Sequence, residues 1–308
     1  MSEQKLLTIC LPTYNRAKYL KMQLDRFSSM PQELWNDIRI FISDNCSTDE
    51  TQSISEEYCG KEGMDIVYHR NDSNLGMDGN FVTCFKSSET KYVWLLGDDD
   101  IILIKRLPLV ISLLKEKEIG VLHLGMGRDD KNDYTIYTND TESFLRQIGI
   151  WITFISSNIV NTKYVKEVNF EKYFGTFFTL VPVYLQAMIK EEKNIMVNVP
   201  IFDGGKDSKR NGGYGVCTVF VDNLLGIFRE YVDKGMLSED LYEFEKTTVF
   251  YFVRGFVVRN YIFKESSNFK PEDTWNILFR HYGKLKVSYG IVRGIFEYVL
   301  NNIGRRNR

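Results

Sequence analysis

Tyr92-Val93-Trp94-Leu95-Leu96-Gly97-Asp98-Asp99-Asp100 decides the fold class of this 308-residue chain. The run from Tyr92 to Leu96 is uninterruptedly apolar and aromatic, the right length for one buried strand. Gly97 ends it, and three carboxylates follow at the C-terminal end, the edge of an open α/β sheet where ligands bind. Three adjacent like charges repel one another unless a cation neutralises them. Carboxylate oxygens suit hard ions such as Mg²⁺ and Mn²⁺. A solvated acidic turn is the alternative, but the buried strand that delivers the triplet favours a ligand site.

Working outward, apolar runs at 6–11, 38–42 and 66–69 precede the triplet at near-regular intervals, separated by helical patterns. Leu20, Leu24 and Phe27 form an i, i+4, i+7 stripe. Ser47-Thr48-Asp49-Glu50 reads as a capping box that opens a helix over 49–58. A shorter helix over 79–88 carries Phe81, Cys84 and Phe85 on one face. This alternation predicts an α/β fold with a mostly parallel, Rossmann-like sheet flanked by helices and right-handed crossovers. The loops at 12–16, 44–49, 70–76 and 98–100 then converge on one sheet edge.

Downstream, the pattern predicts a helix over 104–117, a strand over 120–124 and a helix over 141–148. A strand over 151–155, a helix over 177–190 interrupted near Pro182, and a strand over 195–202 follow. Beyond 216 the chain becomes helical, at 219–234, 239–263, 271–282 and 284–301. The domain reading is an α/β domain over 1–215, in two parts divided near 105, and a helical C-terminal region over 216–308.

Composition narrows the function. A hydrophobic content of 44% and a charged content of 26% are those of a soluble globular protein, and a formal charge of −2 argues against nucleic acid as a partner. The five cysteines include no CxxC pair and are odd in number, which favours buried thiols in a reducing cytoplasm. His69, His123 and His281 are too scattered for a histidine-rich metal site. The N-terminus lacks signal-peptide form, and no apolar run is long enough to span a membrane. Gly125-Met126-Gly127 does not complete a dinucleotide fingerprint, and no P-loop occurs. Two features keep two readings each. The Gly-rich segment 203–215, with Lys206, Lys209 and Arg210, is a loop that closes over phosphates or a surface linker. The basic, apolar segment 284–308 is a helix for an anionic inner-membrane surface, or a packed helix or oligomer contact with a solvated tail.

Four motifs in order resemble the inverting family 2 glycosyltransferases, which have the GT-A fold. Thr8-Ile9-Cys10-Leu11-Pro12-Thr13-Tyr14-Asn15-Arg16 looks like the family's first strand and nucleotide-binding loop. Ile42-Ser43-Asp44-Asn45-Cys46-Ser47-Thr48-Asp49 matches its second strand and turn, and Asn74-Leu75-Gly76 the loop after the third. Leu96-Gly97-Asp98-Asp99-Asp100 matches the metal-binding DXD region. That form of the triplet, with Asn211-Gly212-Gly213-Tyr214, further resembles bacterial abequosyltransferase-like and other cell-surface polysaccharide enzymes.

The resemblance implies a nucleotide diphosphate sugar donor, a Mn²⁺ or Mg²⁺ cofactor and a glycan or lipid-linked saccharide acceptor. It places the nucleotide against Pro12, Thr13, Tyr14, Asn15, Asp44, Arg70, Asn74, Gly76, Asp98 and Asp99. Asp98 and Asp100 fall to the metal, and Asp99 and Asp100 to catalysis. Asp44 can accept the N3–H of uracil or thymine, which cytosine lacks, so a UDP- or dTDP-sugar is favoured. Two registers of the acidic motif are open, one aligning Gly97 with the first acid and one reading Asp98-x-Asp100 directly. Inverting transfer also needs a base for the acceptor hydroxyl. The family usually supplies it from a Glu-Asp pair at a helix start, but the comparable stretch 174–180 has no acid; Glu171 and Asp203 are the nearest candidates. The rival readings are a nucleotidyltransferase, against which the glycine-free Pro12-Thr13-Tyr14-Asn15 counts, and a non-catalytic nucleotide-sugar-binding protein.

Overall fold

Four apolar runs become four parallel strands. They are β1 (Leu7–Thr13), β2 (Ile38–Asp44), β3 (Ile66–Arg70) and β4 (Tyr92–Leu95) in a computed structural model that describes residues 5–125, 135–203 and 213–306. The intervening helices are α1 (Ala17–Ser28), α2 (Thr51–Cys59) and α3 (Gly76–Lys86). The α1 stripe of Leu20, Leu24 and Phe27 is fully buried, as its spacing requires. Helix α2 starts two residues later than the capping box implies. Asp49 receives the N–H of Thr51 at 3.1 Å and, through its other oxygen, the N–H of Ala17 at 3.0 Å, so one carboxylate fixes the starts of two helices. Ser47 is diverted to receive the N–H of Asn15.

The rest of this unit is β5 (Ile101–Ile102), α4 (Leu107–Glu116), β6 (Val121–Leu124), β7 (Thr135–Thr138), α5 (Thr141–Ile148), β8 (Asn158–Asn161), α6 (Leu180–Lys190), β9 (Asn194–Val197) and β10 (Phe202–Asp203). The main sheet runs β3-β2-β1-β4-β8-β6-β9-β7. It is mixed, because β8 is antiparallel to both β4 and β6, and β7 to β9.

Three expectations need correction. The strand expected at 151–155 is a pair of 3₁₀ turns, Gly149–Thr153 and Ile155–Ser157, because the Ser157 hydroxyl caps the carbonyls of Trp151 and Phe154 locally. The strand forms just beyond, with asparagines at both ends. Helix α6 is not interrupted at Pro182. It begins at Leu180, so the proline lies in the first turn, where its missing N–H breaks no intrahelical bond. The strand expected over 195–202 is two pieces: Pro200 separates β9 from β10, which leaves the main sheet and pairs antiparallel with β5.

The chain divides into two compact units, Met1–Lys206 and Asp207–Arg308. The second contains α7 (Leu225–Asp233), α8 (Glu239–Val257), α9 (Thr274–Tyr282) and α10 (Lys284–Arg306). The long helices expected at 219–234 and 239–263 each include a π-helical turn, Thr218–Leu224 and Val258–Ile262. Helix α10 turns Val287 and Ile291 inward beside Gly290, where a Cβ would stand 2.5 Å from the Phe250 ring of α8. Its other side leaves Leu285, Tyr289, Val292, Phe296 and Leu300 exposed. No helix among the described residues is long and apolar enough to cross a membrane.

Candidate active site

Parallel register puts three predicted residues side by side. Thr13 pairs with Asp44 across β1–β2, and Asp44 with Arg70 across β2–β3. Asp44 is fully buried. One oxygen receives the N–H of Ser47 at 2.8 Å; the other receives the Tyr68 hydroxyl at 2.8 Å and faces Arg70 at 3.4 Å. Burial, and then the Asp44 charge, push the Tyr68 phenol well above its ordinary pKa. Tyr14 is exposed beside this row, an aromatic face open to a ligand.

Amide side chains tie the loops together. Asn15 takes a left-handed φ of 53°, and its side-chain oxygen receives the N–H of Thr48 at 2.7 Å. Asn45 donates to Asn74 at 2.8 Å and to the Gly76 carbonyl at 3.0 Å, and receives Asn71 and the N–H of Leu75. Asn71 also donates to Asn80, which is bonded to Ser43 in turn. Asn45, Asn71 and Asn80 are buried, and their mutual hydrogen bonds offset their desolvation. Sequence reading gave none of the three a role, although Asn45 lies in the second motif, because an asparagine carries no local mark of its distant partner.

Around the triplet, the Asp98 carboxylate is held through both oxygens, by the Thr13 hydroxyl at 3.0 Å and by Arg16 Nε at 2.7 Å. The same guanidinium reaches Asp99 at 2.8 Å and lies over the Tyr19 ring at 4.6 Å. Asp100 accepts from the Ser156 hydroxyl at 2.5 Å, and that hydroxyl receives the N–H of Gly97 at 2.8 Å. Gln23 donates to the carbonyls of Gly97 and Asp100. Gly97 has no room for a side chain, since a Cβ there would stand 2.8 Å from the Asp100 carboxylate. Ser156, Arg16 and Gln23 were not among the expected site residues; Arg16 alone carried a signal, its place in the first motif.

The charge is not balanced. Burial pushes the Asp98 carboxyl up to about 7 against the pull of Arg16, and Asp99 adds to the rise. Burial likewise pushes Asp100 up to about 6, with the Ser156 hydrogen bond holding it down and Asp99 raising it. Burial works against the charge on Arg16, but Asp98 and Asp99 raise its pKa overall. Among the described residues, the Arg16 guanidinium pairs with two of the three carboxylates, Asp98 and Asp99.

The two candidate bases fall in different places. Asp203 pairs with Ile101, so its backbone lies opposite the residue that follows the triplet. Glu171 lines a cleft of about 540 Å³ with Phe85, Lys86, Ser88 and Thr162. Thr162 bonds Lys91 at the start of β4, so this cleft lies toward the other end of that strand, away from the triplet. The acid-free stretch 174–180 has an acid beside it: Asp78 of α3 receives the N–H groups of Gly175 and Phe177 at 2.9 and 3.1 Å and the Thr179 hydroxyl at 3.2 Å. Those three donors make Asp78 an anchor for that loop. Lys206, Lys209 and Arg210 lie outside the described residues.

Comparison with known proteins agrees with this geometry. Residues 8–180 match the model of Glycosyl transferase family 2. Abequosyltransferase RfbV of Salmonella typhimurium is 32% identical over 204 residues, 59% of this chain and 61% of the relative, so the match spans about three-fifths of that protein. An uncharacterized glycosyltransferase of Mycoplasma genitalium, MG025, is 27% identical over 100 residues, 32% of this chain and 33% of the relative. Among solved structures, S. aureus TarS 1–349 superposes with a TM-score of 0.57 at 16% identity, covering 96% of this chain and 92% of that one. The mannosyltransferase PcManGT of Pyrobaculum calidifontis, solved with GDP-Man and Mn²⁺, also gives 0.57, at 11% identity, covering 98% and 88%. The mixed sheet with helices on its faces is thus the GT-A fold, the four strand-end motifs fall within the matched span, and the chain belongs to Glycosyl transferase family 2.

Proposed function

We propose that this chain is a metal-dependent inverting glycosyltransferase. It moves a sugar from a UDP- or dTDP-sugar to a saccharide acceptor, lipid-linked at the inner face of a bacterial membrane, in surface polysaccharide synthesis. The observation that carries the reading is the row Thr13–Asp44–Arg70 beside an acidic triplet of which Asp98 and Asp100 are buried. The abequosyltransferase relative supports the glycan class, and the fold neighbour bound to GDP-Man and Mn²⁺ supports a sugar nucleotide with a metal.

The donor set suits a hard divalent ion: oxygens only, on two carboxyls whose ionised form is disfavoured first by burial and then by the neighbouring Asp99 charge, both of which a bound cation would offset. No three His, Cys, Asp or Glu side chains among the described residues form a ready cage. In this reading Asp100, with Asp98, would hold the ion beside the donor diphosphate. When bound, the ion offsets the charge that develops on the departing diphosphate. Tyr14 stacks beside the base, which takes the place of the Tyr68 hydroxyl on Asp44. Arg70 approaches the base or diphosphate, Asn74 and Gly76 shape the loop beneath, and Asp99 reaches the ribose. Of the two candidate bases this reading favours Asp203, whose backbone pairs with that of Ile101 just after the triplet. The exposed apolar face of α10, flanked by Lys284, Lys286 and Arg293, serves the membrane contact.

Calorimetry with UDP, dTDP, CDP and GDP, each in Mn²⁺ and in chelator, tests the reading. UDP or dTDP should bind best, and markedly better with Mn²⁺. Equal affinity in chelator removes the metal bridge, and a preference for CDP removes the base argument while leaving the family intact. A non-catalytic binder would bind the nucleotide yet never hydrolyse a sugar nucleotide that binds.

A further inference from the structure

We propose that Arg16 is a counter-ion gate: it occupies the metal-binding side of the acidic triplet until a donor diphosphate draws it away, so that nucleotide and metal bind cooperatively. The inference rests on the metal-dependent reading above and adds a source of coupling to it.

Three observations converge on this arginine. Its Nε and Nη2 are divided between two carboxylates, at 2.7 Å from Asp98 and 2.8 Å from Asp99, so neither acid receives a two-pronged contact. With Thr13 on the other oxygen, Asp98 is engaged through both of its oxygens while Arg16 stays. The guanidinium is also held in place from another direction, over the Tyr19 ring of α1. It follows Asn15, whose left-handed backbone is locked to Thr48 and Ser47, so the start of this loop is fixed and the long side chain is the part free to swing.

A divalent ion entering at Asp98 would meet a fixed positive charge a few ångströms away, which opposes binding in a half-buried site. A diphosphate offers that guanidinium the paired, planar acceptor geometry that two separate carboxylates do not. Once Arg16 moves to the phosphate, Asp98 regains a free oxygen beside Asp100, and the same phosphate supplies further oxygen ligands. Nucleotide and metal then favour one another by the same factor in either order of addition.

Mn²⁺ binding, read by the loss of the free-ion electron paramagnetic resonance signal, tests the gate without any turnover. Wild-type protein should bind Mn²⁺ weakly alone and roughly tenfold or more tightly with UDP or dTDP, within the usual range for coupled sites. Arg16→Gln should bind Mn²⁺ alone roughly tenfold or more tightly than wild type, and nucleotide should tighten it by less than in wild type, leaving only the part that the phosphate oxygens supply. Arg16→Lys, which keeps the charge but not the planar fork, should bind Mn²⁺ alone as weakly as wild type, and a native near-ultraviolet circular dichroism spectrum certifies that each variant is folded. If Arg16→Gln and wild type bind Mn²⁺ alone equally while wild type still tightens with nucleotide, the gate is wrong and the metal reading stands. Should wild type take up no Mn²⁺ with any of the four nucleoside diphosphates, the metal reading falls and the gate with it.

Discussion

Ser156→Ala isolates the contact that holds the acidic triplet in place. The residue is fully buried, and its hydroxyl both receives the Gly97 N–H and donates to the Asp100 carboxylate. A hydrogen bond to a charged group contributes about 1.5–3 kcal/mol, and a stranded buried N–H costs about 1–3 kcal/mol. Gly97 is only half-buried, so water can partly serve its N–H, and the lower end applies there. The loss should therefore be about 2–4 kcal/mol, or roughly 5–10 °C in Tm for a unit of this size. Urea unfolding followed by tryptophan fluorescence is well suited, because Trp94 is itself buried and donates to the Ser156 carbonyl at 2.8 Å. The midpoint should fall with the slope unchanged. UDP or dTDP affinity in Mn²⁺ should fall as well, since Asp100 loses its tether. A loss below about 0.5 kcal/mol, the range of an ordinary surface substitution, with unchanged nucleotide affinity would refute the idea that this hydroxyl organises the site.

Two further tests address different parts of the molecule. His123 is buried against Asn158 and its pKa is pushed down to about 4. The unfolded chain, with an ordinary histidine near 6.5, then binds the proton first, so stability is full above about 6.5 and is lost as pH falls toward 4. The loss amounts to about 3 kcal/mol. Urea midpoints should show His123→Gln gaining that much relative to wild type between pH 7 and pH 4; a pH-independent difference would contradict a neutral buried imidazole. For α10, wild type should co-sediment with anionic vesicles at low salt. Neutralising Lys284, Lys286 and Arg293 and removing the residues after Asn301 should abolish this while leaving nucleotide binding intact, at about 1 kcal/mol for each basic residue lost. Undiminished sedimentation of the altered protein would exclude the membrane role.

The sequence-legible parts of the fold are those whose partners are local or repetitive. The Leu20–Leu24–Phe27 stripe, the apolar runs of β1, β2 and β4 and the glycine before the triplet each announce their surroundings within a few residues. Strand β8 does not, because Asn158 and Asn161 at its ends look like loop residues; inside the sheet Asn158 is answered by His123 and the Asn161 N–H by the Gly120 carbonyl. The position of Thr13, Asp44 and Arg70 could be read from three strand ends, whereas Asp78, Asn80 and Ser156 acquire their roles from segments far away in the chain. Such partners leave no periodicity behind. Pro182 misled for the opposite reason: the local rule against proline in helices is strong, but it does not apply in the first turn.

Strand β8 has a consequence for how this protein comes off the ribosome. It is inserted between β4 and β6, and the hydroxyl that steadies the triplet arrives 59 residues after Gly97, with β10 arriving later still to pair with β5. The first hundred or so residues contain the four motifs but cannot close their own sheet, because the outer edge of β4 waits for a strand not yet synthesised. During translation that edge stands open as a template for wrong pairing. That edge finds its native partner only when residues up to Asn161 have emerged. For the same reason the nucleotide-facing half is not a module that recombination could lift out whole: its boundary in sequence and its boundary in space are different lines.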